Sequence, residues 1–290
     1  MSPAAPGTRT GTGSPSVREA LAQAAALGLD RIDAHALLGH ALQRPRAWLI
    51  AHDADPLPPE AARAFATACH QRADGVPVAY LLGEREFHGL ALQVTPDVLV
   101  PRPDTETLVD WALALLPALG AAPRVLDLGT GSGAIALAVA HRHPAAQVLA
   151  TDLSPAALAV AQGNAQRLGL PVAWAQGTWW QAVAAGACFD LVLSNPPYIA
   201  GDDPHLPALR HEPRLALTPG GDGLDAYRAI VAGAAAHLAP GGWLLFEHGF
   251  DQAAPVAALL QAAGLTEIST RLDLEARPRC TGGRAPSGKA

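Results

Sequence analysis

The sequence has almost no lysine. Lys289 stands alone among 20 basic residues, which face 26 acidic ones for a net charge of -6. A protein that coats nucleic acid needs a basic surface to displace counterions, so this balance argues against a general nucleic-acid coat and leaves room only for a local basic groove. Cysteine is scarce as well. Cys69, Cys188 and Cys280 are widely separated, odd in number and without CxxC spacing, so neither a disulfide framework nor a zinc site is expected. His141, His143, His205 and His211 lack a metal-ligand arrangement and read as solvated, so no metal is expected. No segment approaches the ~18 uninterrupted apolar residues of a membrane span. The opening MSPAAPGTRTGTGSPS lacks the apolar core of a signal peptide. The expectation is a cytoplasmic protein with disordered tails at residues 1–16 and 285–290.

What is present is a chain of 290 residues, 50% of them apolar, enough for one large domain or two of ordinary size. From Val17 to about Tyr80 apolar residues recur at helical spacing in "REALAQAAALG" and "RIDAHALLGHAL", and Pro58-Pro59 opens a third helix closed by Gly75. Residues 17–80 therefore read as a small helical bundle. Residues 81–100 change character, with alternating apolar positions around a His88-Gly89 turn, and read as a β-hairpin linker. From Pro101 to Arg284 the pattern alternates: "RVLDLG", "QVLATD", "VAWAQG", "FDLVLSN" and "GWLLFEHG" as strands, with "GAIALAVAHRHP" and "PAALAVAQGNAQRLG" as helices. Such alternation builds an α/β fold with a mostly parallel sheet covered by helices on both faces.

"VLDLGTGSGAIALA" places Gly129, Gly131 and Gly133 between a strand and a helix, where a loop without Cβ atoms lets backbone N–H groups approach a ligand. Asp152 ends the next strand, where an acid can accept from both ribose hydroxyls or cap the next helix. Asp127 precedes the glycines and can bond the loop's own backbone or a cofactor amino group. This unit points to an adenosine-containing cofactor without choosing between NAD and S-adenosylmethionine.

The strand "FDLVLSN" runs into Asn195-Pro196-Pro197-Tyr198. Prolines restrict the backbone and remove N–H donors while leaving carbonyls, and the Asn195 oxygen adds an acceptor. Such a corner suits a planar NH₂ group with two hydrogens to donate. Holding that nitrogen in line with an electrophile is worth up to about 7–11 kcal/mol of barrier, and Tyr198 can cover the planar group. Trp179 and Trp180 are adjacent, so in an extended segment only one faces the cofactor. Glu247 reads as structural at a strand end rather than as an acid–base group.

Taken together, "REFHGL", "LVPRPDTETLVD", "VLDLGTGSGAIALA", "ATDLSPAALAVAQGNAQRLG", "LVLSNPPYI" and "LLFEHG" resemble the PrmC/HemK family of protein-(glutamine-N5) methyltransferases over residues 17–284. The resemblance implies a class I, Rossmann-like methyltransferase domain with a seven-stranded sheet at 101–284 and a release-factor-binding role for 17–80. It implies S-adenosylmethionine as cofactor, S-adenosylhomocysteine as product, and the glutamine of the GGQ motif of class 1 release factors as substrate, with no stable nucleic-acid or membrane partner; the alternatives are a glutamine of a large-subunit ribosomal protein and, disfavoured by the net charge of -6, a nucleic-acid adenine. Gly129, Thr130, Gly131, Ser132, Gly133, Asp152, Trp179 and Asn195 would bind the cofactor. Asn195, Pro196, Pro197 and Tyr198 would receive the glutamine, with Asn195 and Pro196 acting catalytically. The loop Pro101 to Glu106 would close over both. One departure is Thr178, where relatives commonly carry an acidic residue.

Overall fold

In the computed structural model, which describes residues 14–287, the first helix, α1 (Val17–Ala26), opens on a capping box. The Ser16 hydroxyl accepts from the Glu19 N–H while the Glu19 carboxylate accepts from the Ser16 N–H at 2.8 Å, satisfying two donors that a helix start leaves open. Asp30 caps α2 (Arg31–Leu42) in the same position. Two short helices, α3 (Arg46–Ala51) and α5 (Val78–Leu82), flank α4 (Pro59–Ala73), which begins on a proline. The three longer helices follow the periodicity of the sequence; α3 and α5 are too short to display one. Val17, Leu37, Leu38, Leu49, Phe65 and Cys69 form the core of this unit, which ends at Leu82. Expected tail residues 1–13 and 288–290 lie outside the described residues.

The second unit begins at Gly83. Strands β1 (Glu84–Phe87) and β2 (Leu90–Gln93) form an antiparallel hairpin. His88 and Gly89 both have positive φ, 50° and 82°, the signature of a two-residue turn whose twist matches its strands. Buried Asn164 ties the hairpin inward: it accepts from the Gln93 N–H at 2.7 Å and donates to the Gln93 and Ser132 carbonyls, each at 3.0 Å.

The rest follows the alternating pattern: α6 (Glu106–Leu115), β3 (Arg124–Leu128), α7 (Ala134–Arg142), β4 (Gln147–Asp152), α8 (Pro155–Leu168), β5 (Ala173–Gln176), β6 (Phe189–Ser194), α9 (Arg214–Leu217), α10 (Asp225–His237), β7 (Leu238–Glu247), α11 (Ala253–Ala262), β8 (Thr266–Leu272) and β9 (Pro278–Arg284). The seven strands lie in the order β5-β4-β3-β6-β7-β9-β8. All pairs are parallel except those of β9 with β7 and β8. Strand alternation sends Val125, Leu191, Leu193, Trp243 and Leu245 to the core under α6 and α7, and Leu126, Val192, Leu244 and Phe246 to the core under α10 and α11. Both faces are dry, which is why these strands read as continuous apolar runs. The chain order reverses between β3 and β6, and the crevice beyond their carboxyl ends is where open α/β sheets bind ligands. Among the described residues no helix is long and apolar enough to cross a membrane.

Candidate active site

The loop after β3 folds on its own backbone. Gly129, Gly131 and Gly133 have φ of 77°, 55° and 85°, a left-handed conformation that side chains disfavour. The N–H groups of Gly129 and Thr130 both donate to the Thr151 carbonyl at 2.9 Å, binding the loop to the end of β4. Gly133 serves packing: a Cβ there would stand 3.0 Å from Leu137 Cδ1 and 3.2 Å from Ala161 Cβ. Asp127 lies beneath, fully buried, and accepts from the Thr130 hydroxyl at 2.7 Å. It is the loop's own anchor. Burial pushes its carboxyl up to about 7, and its Oδ1 has no partner among the described residues.

Asp152 closes the same corner. Its Oδ2 accepts from the Gly131 N–H at 2.9 Å and its Oδ1 from the Ser154 N–H at 2.8 Å. Burial raises its pKa, with these N–H donors working in opposition. Helix capping falls to Ser154, whose hydroxyl accepts from the Ala157 N–H at 3.2 Å. The two tryptophans part company in a short 3-10 turn, Trp179–Ala182, rather than in an extended segment. Trp179, with φ of 47°, lines the cavity beside Thr178. Trp180 turns away: its indole donates to the Ile230 carbonyl at 2.8 Å and its ring stacks on His237 at 4.7 Å.

A cavity of about 430 Å³ joins this corner to the end of β6. The Ser194 hydroxyl donates to the Leu128 carbonyl at 2.7 Å and holds the two strand ends level. Of the residues singled out in the sequence, Gly129, Thr130, Gly131, Ser132, Asp152, Trp179, Asn195 and Pro197 line the cavity together. Gly133, Pro196 and Tyr198 do not belong to that lining. Pro196 is buried, and half-buried Tyr198 packs toward the core under α10 and α11. The Tyr198 carbonyl accepts from Gln252 Nε2 at 3.0 Å. Burial pushes the Tyr198 hydroxyl well above its ordinary pKa.

Sequence reasoning passed over the side chains that hold this second corner. Asn195 Nδ2 donates to Thr105 Oγ1 at 3.3 Å. Thr105 belongs to the Pro101 to Glu106 segment, which is tied on both sides. Glu212 accepts from the Val100 N–H at 3.2 Å and pairs with Arg102; Asp104 pairs with Arg279 at 3.0 Å. Glu212 and Arg279 carry no local motif, and only the tertiary fold brings them to the loop. Arg102 lines the cavity and Arg214 starts α9. No group of His, Cys, Asp and Glu among the described residues could hold a metal ion.

A parallel sheet with a glycine loop at its switch point and an Asn-Pro-Pro-Tyr corner on the adjacent strand defines a class I methyltransferase. The PrmC N-terminal domain family matches residues 16–83 and the methyltransferase small domain family matches residues 107–223. The chain is 54% identical to the release factor glutamine methyltransferase of Xylella fastidiosa over 92% of its own length and 98% of that protein's. It is 55% identical to the enzyme of the same name from Bordetella pertussis, over 88% and 95%. The chain belongs to the release factor glutamine methyltransferase family. A solved methyltransferase from Pyrococcus furiosus shares the fold at a TM-score of 0.52 and 19% identity, over 68% of this chain and 90% of that one.

Proposed function

We propose that this protein transfers a methyl group from S-adenosylmethionine to the side-chain amide nitrogen of the glutamine in the GGQ motif of class 1 release factors, leaving S-adenosylhomocysteine. The observation that carries the reading is Asn195, set in the cavity wall with the glycine loop of the adjacent strand in a chain of this family. The cavity of about 430 Å³ is within the ~300–1,000 Å³ usual for small-molecule sites. Glycines open it: a Cβ at Gly131 would meet nothing within 4 Å. In this reading the loop from Gly129 to Ser132 holds the methionine part, Asp152 the ribose and Trp179 the adenine. Thr178 offers a hydroxyl to the adenine edge.

S-adenosylmethionine supplies a sulfonium methyl group, an electrophile strong enough to react with a weak nucleophile. The protein's part is to present the nucleophile. An amide nitrogen is weak because its lone pair is delocalised; Asn195 Oδ1 and the Pro196 carbonyl accept its two hydrogens and aim the lone pair. Charge that develops on nitrogen is met by these acceptors, and one N–H proton passes to solvent after the methyl group has arrived. The helical unit of residues 17–80 contributes the contact with the release factor, and the reaction takes place in the cytoplasm, without a stable nucleic-acid partner.

The test offers purified protein and labelled S-adenosylmethionine separately to a class 1 release factor, a large-subunit ribosomal protein and DNA, then locates label by mass spectrometry. Methyl on the GGQ glutamine is expected. Label confined to the ribosomal protein or to adenine overturns the reading.

A further inference from the structure

Glu247 ends β7 with 1% of its surface exposed, although the methyl transfer itself assigns it nothing. Ser194 pairs with Phe246 across β6 and β7, so Asn195 and Glu247 are the next residues outward on neighbouring strands. Glu247 Oε2 has no hydrogen-bond partner among the described residues. The Tyr227 hydroxyl is committed to the Glu247 backbone carbonyl at 2.9 Å. The side-chain donors beside the carboxylate are those of Thr105 and Asn195, and Asn195 itself donates to Thr105 Oγ1 at 3.3 Å.

These three groups differ in what they can do. A carboxylate only accepts, a hydroxyl donates one bond and accepts others, and a primary amide has one end of each kind. We propose that Glu247 is a positioning residue that sets the direction of the Asn195 amide through Thr105. The ionised carboxylate accepts from the Thr105 hydroxyl; Thr105 Oγ1 is then left to accept from Asn195 Nδ2; and Asn195 Oδ1 faces the cleft, where an NH₂ group needs an acceptor. Reversal of this chain would present Nδ2 to the substrate, donor against donor. The inference rests on the cleft receiving an NH₂ group.

A protonated Glu247 can donate to Thr105 and so removes the constraint. The charged and titratable groups around it are Asp104 from the loop, Tyr198 after β6, Tyr227 on α10, and Arg279 and Cys280 on β9. Arg279 favours the carboxylate but is shared with Asp104 and Asp273. Burial dominates and pushes the Glu247 carboxyl up to about 7. Turnover therefore falls as pH drops below that value.

The experiment follows the Asn195 side-chain amide resonances by NMR, identified by their loss in Asn195→Asp, and the methylation rate over the same pH range. In the unaltered protein the resonances shift between about pH 6 and 8 in step with kcat. Glu247→Gln and Thr105→Val abolish that shift and lower kcat by about ten- to a hundredfold, with cofactor KM unchanged; Thr105→Ser restores both. Resonances in Thr105→Val that titrate as in the unaltered protein, or equal kcat in Thr105→Val and Thr105→Ser, overturn the proposal. If Glu247→Gln fails to fold, the Thr105 pair still decides. A titrating amide in a protein that does not methylate release factor leaves this chain of bonds intact and refutes the proposed substrate instead.

Discussion

On the cofactor side of the cleft, the carboxylate of Asp152 is held by the backbone N–H groups of Gly131 and Ser154, the first of them 21 residues away in sequence. On the substrate side, the amide of Asn195 is held by the side chain of Thr105, 90 residues away, with Glu247 behind it. One corner is made of turn geometry that any strand–loop–helix unit supplies. The other is made of side chains that only the finished sheet brings together. Backbone donors cannot reverse or titrate, whereas a hydroxyl, an amide and a buried carboxyl can do one or the other. The bonds of the cofactor corner are therefore expected to keep their direction, and those of the substrate corner are expected to be reversible.

Substitutions that touch one corner at a time can break this contrast. The largest effect is expected from Asn195→Ala, which removes an acceptor aimed at developing charge. Turnover should fall by about a hundred- to a thousandfold, while calorimetry finds cofactor affinity close to that of the unaltered protein. Asp152→Ala should do the reverse. Loss of charged hydrogen bonds weakens cofactor binding by about ten- to a hundredfold, and saturating cofactor restores most of the rate. Gly133→Ala probes the scaffold under the first corner. With φ of 85° and a Cβ 3.0 Å from Leu137, it should lower stability by about 1–3 kcal/mol, read from the midpoint of urea unfolding.

The smallest effect concerns Asp127. Its folded pKa of about 7 lies above the ordinary 3.8, so the folded state keeps a proton that the unfolded state releases. The resulting stability is fully present below about pH 4 and is lost as pH rises through about 7. Asp127→Asn removes that slope. Compared with the unaltered protein, the variant should gain about 1 kcal/mol between pH 6 and 7, measured by unfolding at each pH. Equal slopes for both proteins would show that the loop's anchor is already ionised when folded.

The same contrast explains how much of the molecule was legible in its sequence. The glycine loop, Asp152 and the hairpin turn at His88-Gly89 announce themselves because their geometry is local: a positive φ demands glycine or a tolerant residue, and a strand end fixes the turn after it. The parallel strands were readable because both sheet faces are dry. Strands β8 and β9 were harder, since β8 is mostly exposed and β9 carries Gly282 and Gly283 where side chains of Leu245 and Leu265 press close. Within the site, Asn195 stood out by its prolines. Thr105 lay inside a recognisable motif, but its bond to Asn195 did not follow from spacing. Glu212 and Arg279 had no local signal, because their partners are fixed by loop and sheet packing across long sequence separations. Glu247 was placed correctly at a strand end, yet its neighbour on β6 is set by register, which the sequence does not print.

The most direct test of two separable corners is the single-turnover rate of methyl transfer at saturating S-adenosylmethionine, measured side by side in Asp152→Ala and Asn195→Ala. The account predicts that Asp152→Ala approaches the rate of the unaltered protein while Asn195→Ala remains about a hundredfold or more below it. Equal rates in the two variants, whether both restored or both depressed, would contradict it.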